Sequence, residues 1–359
     1  MSRNTQFYPL KVSQIDHNAQ DCVLVSFEVP TALQNDFLFR QGQYLTLKAE
    51  IGGEDVRRSY SLCSSPMDQQ WRVGIKKVPD GRFSTFANEA LAVGDEIEVM
   101  PPDGRFFVEV DPSGEREYVC FAAGSGITPI YSIIKTHLQA EPDAHVKLFY
   151  INQTVSSIIL KEELEALKNR FMGRLEIFYF LTQESRSVPL FNGRINEEKL
   201  EVIFKSICDV EQIDHYFMCG PEAMIMMVRD FLQSKGVEKK QIHFELFFTD
   251  TKPSVRRSRT QTKDASQQAA VTILEGGKSF QFKIPKGSEN ILDAALNREA
   301  DLPFACKGGV CCTCRAKLVK GEVDMAVNYA LEDEEVADGY ILTCQAVPLS
   351  DEVIVDFDA

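Results

Sequence analysis

Four cysteines lie within nine residues of the stretch FACKGGVCCTC, Phe304–Cys314. Three of them, Cys306, Cys311 and Cys314, have the spacing C-x4-C-x2-C, and Cys344 follows after 29 intervening residues. In plant-type 2Fe–2S sites, four thiolates with this spacing hold two irons. A zinc site would more commonly present two C-x2-C pairs, and the second pair is missing here. The spacing therefore predicts a 2Fe–2S cluster with these four cysteines as ligands.

The other residues of this region also suit a cluster. Gly308 and Gly309 leave room for backbone amides to approach the cluster sulfurs, and such hydrogen bonds tune a cluster's potential. Cys312 matches neither ligand position, because its neighbour completes the spacing, and we predict that it is a bystander thiol. The acidic run LEDEEVADGY, residues 331–340, is predicted to form a short solvated helix before the last ligand, with partner docking as the alternative.

Length and residue usage narrow the class of protein. With 359 residues the chain exceeds a single hydrophobic core, so two or three domains are expected. The first residues, MSRNTQFYPL, contain no apolar signal segment, and no apolar run approaches the roughly 18 residues of a membrane-spanning helix. We therefore predict a cytoplasmic protein without membrane insertion. Ten cysteines, five of them in the last 54 residues, then favour metal or redox chemistry over disulfides.

The charge is strongly acidic and unevenly distributed. A formal net charge of -14 argues against a nucleic-acid binder, which would offer phosphate a basic surface. Residues 269–359 contain 8 Lys and Arg against 16 Asp and Glu, so this quarter of the chain carries -8 of the total. Such a surface could dock a basic partner, and ordinary solubility is the alternative explanation.

Four segments follow one another along the chain. Residues 1–112 contain short apolar runs such as CVLVSFEV between turn signals, which predicts an antiparallel β-barrel or sandwich. Residues 113–248 alternate apolar strands such as VKLFYI with helical stretches, which predicts a parallel α/β sheet covered on both faces. Residues 249–268 are polar and are predicted to be a linker. Residues 269–359 open with two strands around a Gly-Gly turn and the helical stretch ENILDAALNREA, which predicts an α+β domain.

The stretch RRSYSLCSSP in the first segment carries residue types that suit a flavin. Tyr60 offers a ring to stack on the isoalloxazine, Ser61 a hydroxyl near its reactive edge, and Arg58 a guanidinium for the pyrophosphate. Alone, R-x-Y-S is a weak motif, because a surface arginine beside a core tyrosine also explains it. The stretch resembles the flavin-binding signature of the ferredoxin-NADP reductase superfamily.

A second stretch, GRFSTFA, begins 23 residues after Arg58 and supports this resemblance. It is similar to the second phosphate-binding segment of the same superfamily. Lys76, in the intervening strand, is a further candidate contact to the cofactor. The residues that match the segment are Gly81, Arg82, Phe83 and Ser84.

The second segment contains AAGSGITPI, directly after the strand YVCFAA and before a helix expected to begin near Pro129. Gly124 and Gly126 would let the backbone approach a pyrophosphate at the amides and positive dipole end of the helix. The pattern is G-x-G-x-x-P, which differs from the G-x-G-x-x-G of Rossmann dehydrogenases. The proline, with Thr128 before it, matches the reductase superfamily instead.

Two later stretches match the same superfamily. Cys219, Gly220 and Pro221 in FMCGPEAM resemble the segment that holds the nicotinamide against the flavin, and a buried core thiol is the alternative for Cys219. Glu245 and Phe247 in IHFELFF match a glutamate and an aromatic residue that lie by the flavin. For Glu245 the alternative is an ordinary strand with one exposed acid.

Together the motifs cover nearly the whole chain, which resembles oxygenase reductases of this superfamily that carry a C-terminal, β-grasp-like plant-type ferredoxin domain. The resemblance implies electron transfer from NAD(P)H to FAD to 2Fe–2S, with Ser61 and Cys219 positioning the reacting rings. NAD(P)H gives up two electrons together and the cluster accepts one at a time, so the flavin between them would have to divide the pair.

The residues alone do not decide the type of flavin or the preferred nicotinamide nucleotide. FAD over FMN and NADPH over NADH both rest on the resemblance. The stretch YINQTVSS offers Gln153 and Ser156 but no arginine where a 2′-phosphate would lie, and Arg186 or Arg194 could compensate.

The resemblance extends to the reductases of phenylacetyl-CoA epoxidase systems. It implies that the acceptor is a di-iron oxygenase docked on the ferredoxin domain, and this chain has no paired Glu-x-x-His helices of its own. One alternative is a reductase for another oxygenase, a hydroxylase or a fatty-acid desaturase. A second, of another class, is a non-enzymatic redox sensor or electron store, against which the nicotinamide motif argues.

Overall fold

The computed structural model describes residues 5–247 and 267–359, which lie in two compact units. One unit contains residues 7–247 and the other residues 267–359. The predicted linker, residues 249–268, lies outside the described residues except for its last two positions. Within the described ranges, no helix is long and apolar enough to cross a bilayer.

The larger unit begins with a six-stranded antiparallel sheet. Its strands pair in the order β4-β3-β6-β1-β2-β5, and an antiparallel bridge between Leu62 and Val73 joins the two edges, so the sheet closes into a barrel. Helix α1 packs against the same apolar core through Phe83 and Ala87. The elements are β1 (Tyr8–Ala19), β2 (Cys22–Glu28), β3 (Tyr44–Ile51), β4 (Glu54–Ser61), β5 (Trp71–Lys76), α1 (Arg82–Glu89) and β6 (Glu96–Asp103).

A five-stranded parallel sheet follows in the same unit. Its strand order is β11-β10-β7-β8-β9, so the chain returns past β7 before it forms β10. On one face, Phe121, Phe149 and Phe178 stack across neighbouring strands with centroids 5.0 Å apart. The opposite face buries α2 and α3, and cover on both faces explains the continuous apolar strands. The elements are β7 (Glu117–Ala123), α2 (Ile127–Ala140), β8 (His145–Asn152), α3 (Lys161–Arg170), β9 (Leu175–Leu181), α4 (Glu197–Ser206), β10 (His215–Gly220), α5 (Glu222–Ser234) and β11 (Ile242–Leu246).

The smaller unit is a mixed sheet in the order β13-β12-β18-β14-β16, with α6 buried against it in a β-grasp-like arrangement. Gly276 and Gly277 both have positive φ in the predicted two-residue turn. Helix α6 is shorter than the predicted stretch, and Glu299 beyond it adopts φ 63°. The elements are β12 (Gln268–Glu275), β13 (Lys278–Pro285), α6 (Ile291–Leu296), β14 (Arg315–Lys320), β15 (Val323–Met325), α7 (Asp333–Ala337), β16 (Tyr340–Leu342), β17 (Ala346–Pro348) and β18 (Glu352–Asp356).

The predicted fold class is confirmed. The chain combines an antiparallel barrel, a parallel α/β sheet and an α+β domain. The predicted choice between barrel and sandwich is decided by the bridge that closes the first sheet.

Candidate functional site

The predicted flavin residues of β4 lie at the end of that strand. The Tyr60 ring packs against Phe83 of α1 with centroids 5.6 Å apart, which brings the two predicted flavin motifs together. Ser61 is buried, and its hydroxyl donates a hydrogen bond to the Glu245 carboxylate over 3.1 Å. Arg58 is half-buried. The barrel and the last strand of the parallel sheet therefore meet at Ser61.

Gly81 is the N-cap of α1, and its neighbours leave little room for a side chain. A Cβ at this position would lie 2.4 Å from both Ser84 Oγ and Val78 Cγ2. Ser84 Oγ accepts the Val78 N–H over 3.3 Å and donates to the Gly81 carbonyl over 3.2 Å, which fixes the turn. The first-turn amides of a helix are donors for an anion. The cavity of about 490 Å³ beside Gly81 and Arg82 is also bordered by Asp80 and Glu89, and the Arg82 guanidinium is paired with Glu54, so the fit depends on the amides. This cradle fits a phosphate group of FAD.

Replacement of Arg58 by alanine is expected to weaken flavin binding about tenfold or more, because a hydrogen bond to a charged group contributes ~1.5–3 kcal/mol. The measurement is the flavin-to-protein ratio after gel filtration. The matched control is Arg57→Ala, since neighbouring strand residues point to opposite faces and Arg57 lies over the Phe7 ring at 5.1 Å. Unchanged flavin occupancy in the Arg58 variant would remove this residue from the site.

The glycine loop after β7 packs directly on the strand end of β10. A Cβ on Gly126 would lie 2.2 Å from the Cys219 carbonyl oxygen, and a Cβ on Gly220 would lie 2.9 Å from the Cβ of Ala123. Helix α2 begins at Ile127, two residues before the predicted start, so Pro129 lies in the first turn, where its missing N–H costs nothing. Two motifs about 93 residues apart in sequence thus form one structural element.

The barrel approaches the same loop from strand β5. A Cβ on Gly124 would lie 3.7 Å from Lys76 Nζ, and a Cβ on Gly74 would lie 2.7 Å from Thr128 Cγ2. The Thr128 hydroxyl donates to the Ser125 carbonyl over 3.0 Å and so holds the loop. Lys76 therefore places a positive charge beside the first glycine, where a dinucleotide pyrophosphate would lie.

Cys219 lies near the carboxyl end of β10, between the neighbouring strands β7 and β11. It pairs with Ala122 of β7 and with Glu245 of β11. Burial raises the pKa of the Cys219 thiol well above its ordinary value of 9.0, and the nearby Glu245 carboxylate raises it further. The side chain is therefore a neutral thiol at physiological pH, able to pack or donate a weak hydrogen bond but not to act as a thiolate.

Pro221 and Phe247 complete this region. Pro221 precedes the first residue of α5, and Phe247 is half-buried against the core beneath α2 and α3. The buried Ser61 hydroxyl, the Cys219 thiol and the Glu245 carboxylate thus lie on adjoining strand ends. They can orient an aromatic ring system, and Ser61 and Glu245 can hold a proton between them. FAD bound here would supply the two-electron chemistry.

The four predicted ligands of the smaller unit form two sulfur pairs. The Cys311 thiol donates to Cys306 Sγ over 3.0 Å, and this contact is the largest cause lowering the pKa of Cys306 to about 7. The Cys314 thiol forms the same kind of hydrogen bond with Cys344 Sγ, and this contact lowers the pKa of Cys344. Among the described residues, no three metal-binding side chains converge on one position. Two pairs fit a binuclear cluster, in which each iron takes two thiolates, better than a single zinc ion.

The cluster loop is shaped by glycine. The Gly308 N–H donates to Cys306 Sγ over 3.3 Å. Gly309 has φ 77°, and a Cβ there would lie 2.9 Å from the Val327 carbonyl oxygen, so this position requires glycine. Cys312 points elsewhere, because its thiol donates to the Ala330 carbonyl over 3.1 Å.

Gln345 is a candidate site residue that the sequence did not reveal. Its side-chain amide donates to Cys344 Sγ over 3.5 Å and to the Lys307 carbonyl over 3.0 Å, which ties the last ligand to the cluster loop. A glutamine directly after a ligand carries no spacing signal. Its adjacency to Cys344 was the one available indication, since hydrogen bonds to ligand sulfurs tune cluster potentials.

Replacement of Gln345 by leucine is expected to lower the cluster's reduction potential. An amide donor stabilises the more negative, reduced state, and losing ~1 kcal/mol of this stabilisation corresponds to about 40 mV for one electron. Redox titration followed by electron paramagnetic resonance measures the shift. The control is Gln281→Leu on the exposed side of β13, and equal potentials in the two variants would contradict the role of Gln345.

Three family models match the chain in the predicted order. They are the oxidoreductase FAD-binding domain at residues 9–108, the oxidoreductase NAD-binding domain at residues 121–230, and the 2Fe-2S iron-sulfur cluster binding domain at residues 273–349. These matches confirm the predicted cofactors FAD, NAD(P)H and a 2Fe–2S cluster.

Known proteins with all three parts are similar to the chain over its whole length. It is 41% identical to a component of the 1,2-phenylacetyl-CoA epoxidase of Escherichia coli (strain K12), over 99% of both chains. It is 31% identical to the ferredoxin reductase component of 3-ketosteroid-9-alpha-monooxygenase from Rhodococcus rhodochrous, over 97% of this chain and 96% of that one. The solved structure of phthalate dioxygenase reductase shares the fold, with a TM-score of 0.60, 23% identity and 98% coverage of each chain.

These relatives are reductase components of oxygenase systems, so the prediction that the chain is an enzyme is confirmed. They give no support to the alternative of a non-enzymatic redox sensor. An oxygenase or another redox protein is accordingly the electron acceptor. The chain belongs to the family of NAD(P)H-dependent flavin and 2Fe–2S reductases that includes this phenylacetyl-CoA epoxidase component.

Proposed function

We propose that this reductase delivers electrons to a di-iron oxygenase that epoxidises the ring of phenylacetyl-CoA. The observation that carries the proposal is the 41% identity to the epoxidase component over 99% of both chains, against 31% for the ketosteroid monooxygenase component. The alignment with the epoxidase component covers all three parts of the chain, and its higher overall identity favours a shared partner as well as a shared chemistry.

We assign the cofactor contacts to the residues that the fold brings together. FAD is held by the end of β4 and the start of α1, and the dinucleotide by the loop after β7 with the end of β10. The flavin residues are Arg58, Tyr60, Ser61, Gly81, Arg82, Phe83, Ser84 and Phe247. The dinucleotide residues are Lys76, Gly124, Gly126, Thr128, Pro129, Cys219, Gly220 and Pro221. The residues at the reacting rings are Ser61, Cys219 and Glu245, and the cluster ligands are Cys306, Cys311, Cys314 and Cys344.

The proposed domain boundaries follow the same division. FAD binds residues 1–112, NAD(P)H binds residues 113–248, and residues 269–359 form the ferredoxin domain after the linker at residues 249–268. The start of β12 at Gln268 and the family-model ranges support this division.

The oxygenase is proposed to dock on the acidic ferredoxin domain, near the cluster. Helix α7 carries the exposed Glu334, with Glu332 at its N-cap, and it leads through β16 to Cys344. Arg315 neutralises Glu335 through a contact of 2.6 Å, so the outward acids dominate the charge of this helix. A basic surface on the oxygenase would complement it and speed the encounter.

The test is reconstitution of the purified reductase with the oxygenase components of two systems. With the phenylacetyl-CoA epoxidase components, we expect NAD(P)H consumption to be coupled to epoxide formation, measured by mass spectrometry. With the ketosteroid monooxygenase components, coupled product formation should be at least about tenfold slower, because steering and docking depend on surface charge. Equal or faster steroid hydroxylation would show that another oxygenase is the partner.

A further inference from the structure

The first carbonyl of the glycine loop is held from beneath by a buried tyrosine. Tyr150 of β8 is fully buried, and its hydroxyl donates a hydrogen bond to the Gly124 carbonyl over 3.0 Å. The same carbonyl accepts the Ile127 N–H at the start of α2. A carbonyl oxygen has two lone pairs, so these two donors occupy both of them and fix the direction of the peptide group.

The direction of this peptide group decides what the loop offers to an anion. The Gly124 carbonyl and the Ser125 N–H share one trans peptide group, so they point in opposite directions. Since the carbonyl points to the buried Tyr150 hydroxyl, the Ser125 N–H points out of the core, at the half-exposed surface of the loop. A Cβ built on Gly124 would lie 3.7 Å from Lys76 Nζ. The loop therefore presents an N–H beside an ammonium to the pyrophosphate, and turns its carbonyl oxygen away.

The Tyr150 hydroxyl also binds the segment that follows β8. It accepts the Ile159 N–H over 3.2 Å, and the Ile159 carbonyl is a second acceptor within reach at 3.3 Å. A hydroxyl has one proton to donate, and the shorter of its two donor contacts is the one to Gly124. Burial raises the pKa of Tyr150 well above its ordinary value of 10.0, so the hydroxyl keeps this proton at physiological pH. One hydroxyl thus links Ile159 to Gly124.

The next residue, Leu160, is held in an unusual conformation by the antiparallel barrel. Leu160 has φ 56° and ψ 30°, in the left-handed region that leucine rarely adopts. Its N–H donates to Asn18 Oδ1 over 2.6 Å, and the Asn18 amide donates to the Glu163 carboxylate over 3.3 Å. A strained conformation of this kind persists only where the surrounding contacts impose it. Because Asn18 belongs to β1, a barrel residue fixes the backbone beside Ile159.

We propose that Tyr150 and Asn18 position the glycine loop for the pyrophosphate of the dinucleotide. Tyr150 contacts the loop directly, and Asn18 acts on it through the backbone of Ile159 and Leu160. This chain of hydrogen bonds joins the flavin-binding barrel to the loop after β7, so it sets the pyrophosphate site relative to the flavin. The inference rests on the proposed binding of the dinucleotide at this loop. It applies to NADH and NADPH alike, because both carry the same pyrophosphate.

The test is stopped-flow reduction of the flavin in the full-length holoenzyme at a series of concentrations of NADH and of NADPH. In Tyr150→Phe, the Kd for each nucleotide is expected to rise about five- to tenfold, as for the loss of one buried hydrogen bond. The limiting rate should stay within about twofold of the native rate, because the contacts assigned to the reacting rings are unchanged. As competitive inhibitors, ADP-ribose, which carries the pyrophosphate, should lose affinity by the same factor, whereas adenosine should not.

The matched control is Tyr179→Phe. Tyr179 pairs with Tyr150 in the neighbouring strand, their ring centroids are 6.1 Å apart, and the Tyr179 hydroxyl donates to Glu165 of α3 over 3.0 Å. The control removes the same hydroxyl from the same face of the sheet, away from the glycine loop. A role in stability alone would lower the melting temperature of both variants and leave both Kd values native. Equal Kd values in the two variants would overturn the inference.

Asn18→Ala tests the barrel end of the chain of hydrogen bonds and leaves the core beneath the loop intact. Its Kd for each nucleotide is expected to rise about threefold, and by less than that when Tyr150→Phe is already present, because both residues act on one loop. A native Kd in this variant, or effects that simply multiply, would remove Asn18 from the proposal. Failure of both nucleotides to reduce the flavin of the native protein would instead contradict the reductase function itself.

Discussion

Replacement of Cys311 by serine is expected to remove the iron–sulfur cluster, whereas replacement of the adjacent Cys312 should leave it in place. Cys311 Sγ lies 3.0 Å from Cys306 Sγ, so its loss breaks one of the two sulfur pairs. Cys312 donates to the Ala330 carbonyl instead. Iron content and the visible spectrum should fall below about a tenth of the native value in the first variant, since incomplete ligand sets hold metal poorly.

The two variants control for each other, because both remove a buried thiol from the same loop. In the Cys311 variant, NAD(P)H should still reduce the flavin and ferricyanide, while reduction of cytochrome c through the cluster should be lost. A cluster that survives in the Cys311 variant and is lost in the Cys312 variant would show that the ligand assignment is wrong.

Replacement of Gly126 by alanine is expected to slow reduction of the flavin by NAD(P)H about a hundredfold, because small misplacements of reacting groups have effects of this size. A Cβ at this position would lie 2.2 Å from the Cys219 carbonyl and 3.0 Å from the Gly220 nitrogen. Backbone must therefore move at the loop for the pyrophosphate and at the segment for the nicotinamide together. Stopped-flow absorbance measures the rate of flavin reduction.

Gly173→Ala is the matched control for this variant. Gly173 has φ 85° and nothing within 4 Å of a built Cβ, so alanine there costs about 1–2 kcal/mol of backbone strain without a collision. The control should reduce its flavin at the native rate. The Gly126 variant should retain the FAD and cluster spectra, and dithionite should still reduce it fully. A native rate of flavin reduction by NAD(P)H would contradict the proposed close contact between the glycine loop and the end of β10.

Local patterns allowed the sequence to predict the cluster ligands and most strands. The spacing of Cys306, Cys311 and Cys314 reflects one loop, and the order of apolar strands and helices determines the parallel sheet. The Gly-Gly turn and the short acidic helix were also accessible, because each depends on neighbouring residues.

The contacts that assemble the site join distant residues and could not be derived from spacing. Ser61 and Glu245 are 184 positions apart, and no sequence pattern predicts that their side chains hydrogen-bond. Helix α1 lies in a stretch whose phosphate-binding character was indicated only by resemblance. The contact of Gln345 with Cys344 depends on a rotamer, and the Tyr150 contact with Gly124 depends on how β8 lies beneath the glycine loop. Side-chain placement of this kind requires the three-dimensional structure.

The central claim is that electrons pass from the nucleotide through FAD to the cluster within this one chain. An anaerobic titration with NADH and then NADPH, followed by visible absorbance and low-temperature electron paramagnetic resonance, tests it most directly. The account predicts bleaching of the flavin followed by the rhombic signal of a reduced 2Fe–2S cluster. Flavin bleaching with no cluster signal, in protein whose iron content is complete, would contradict it.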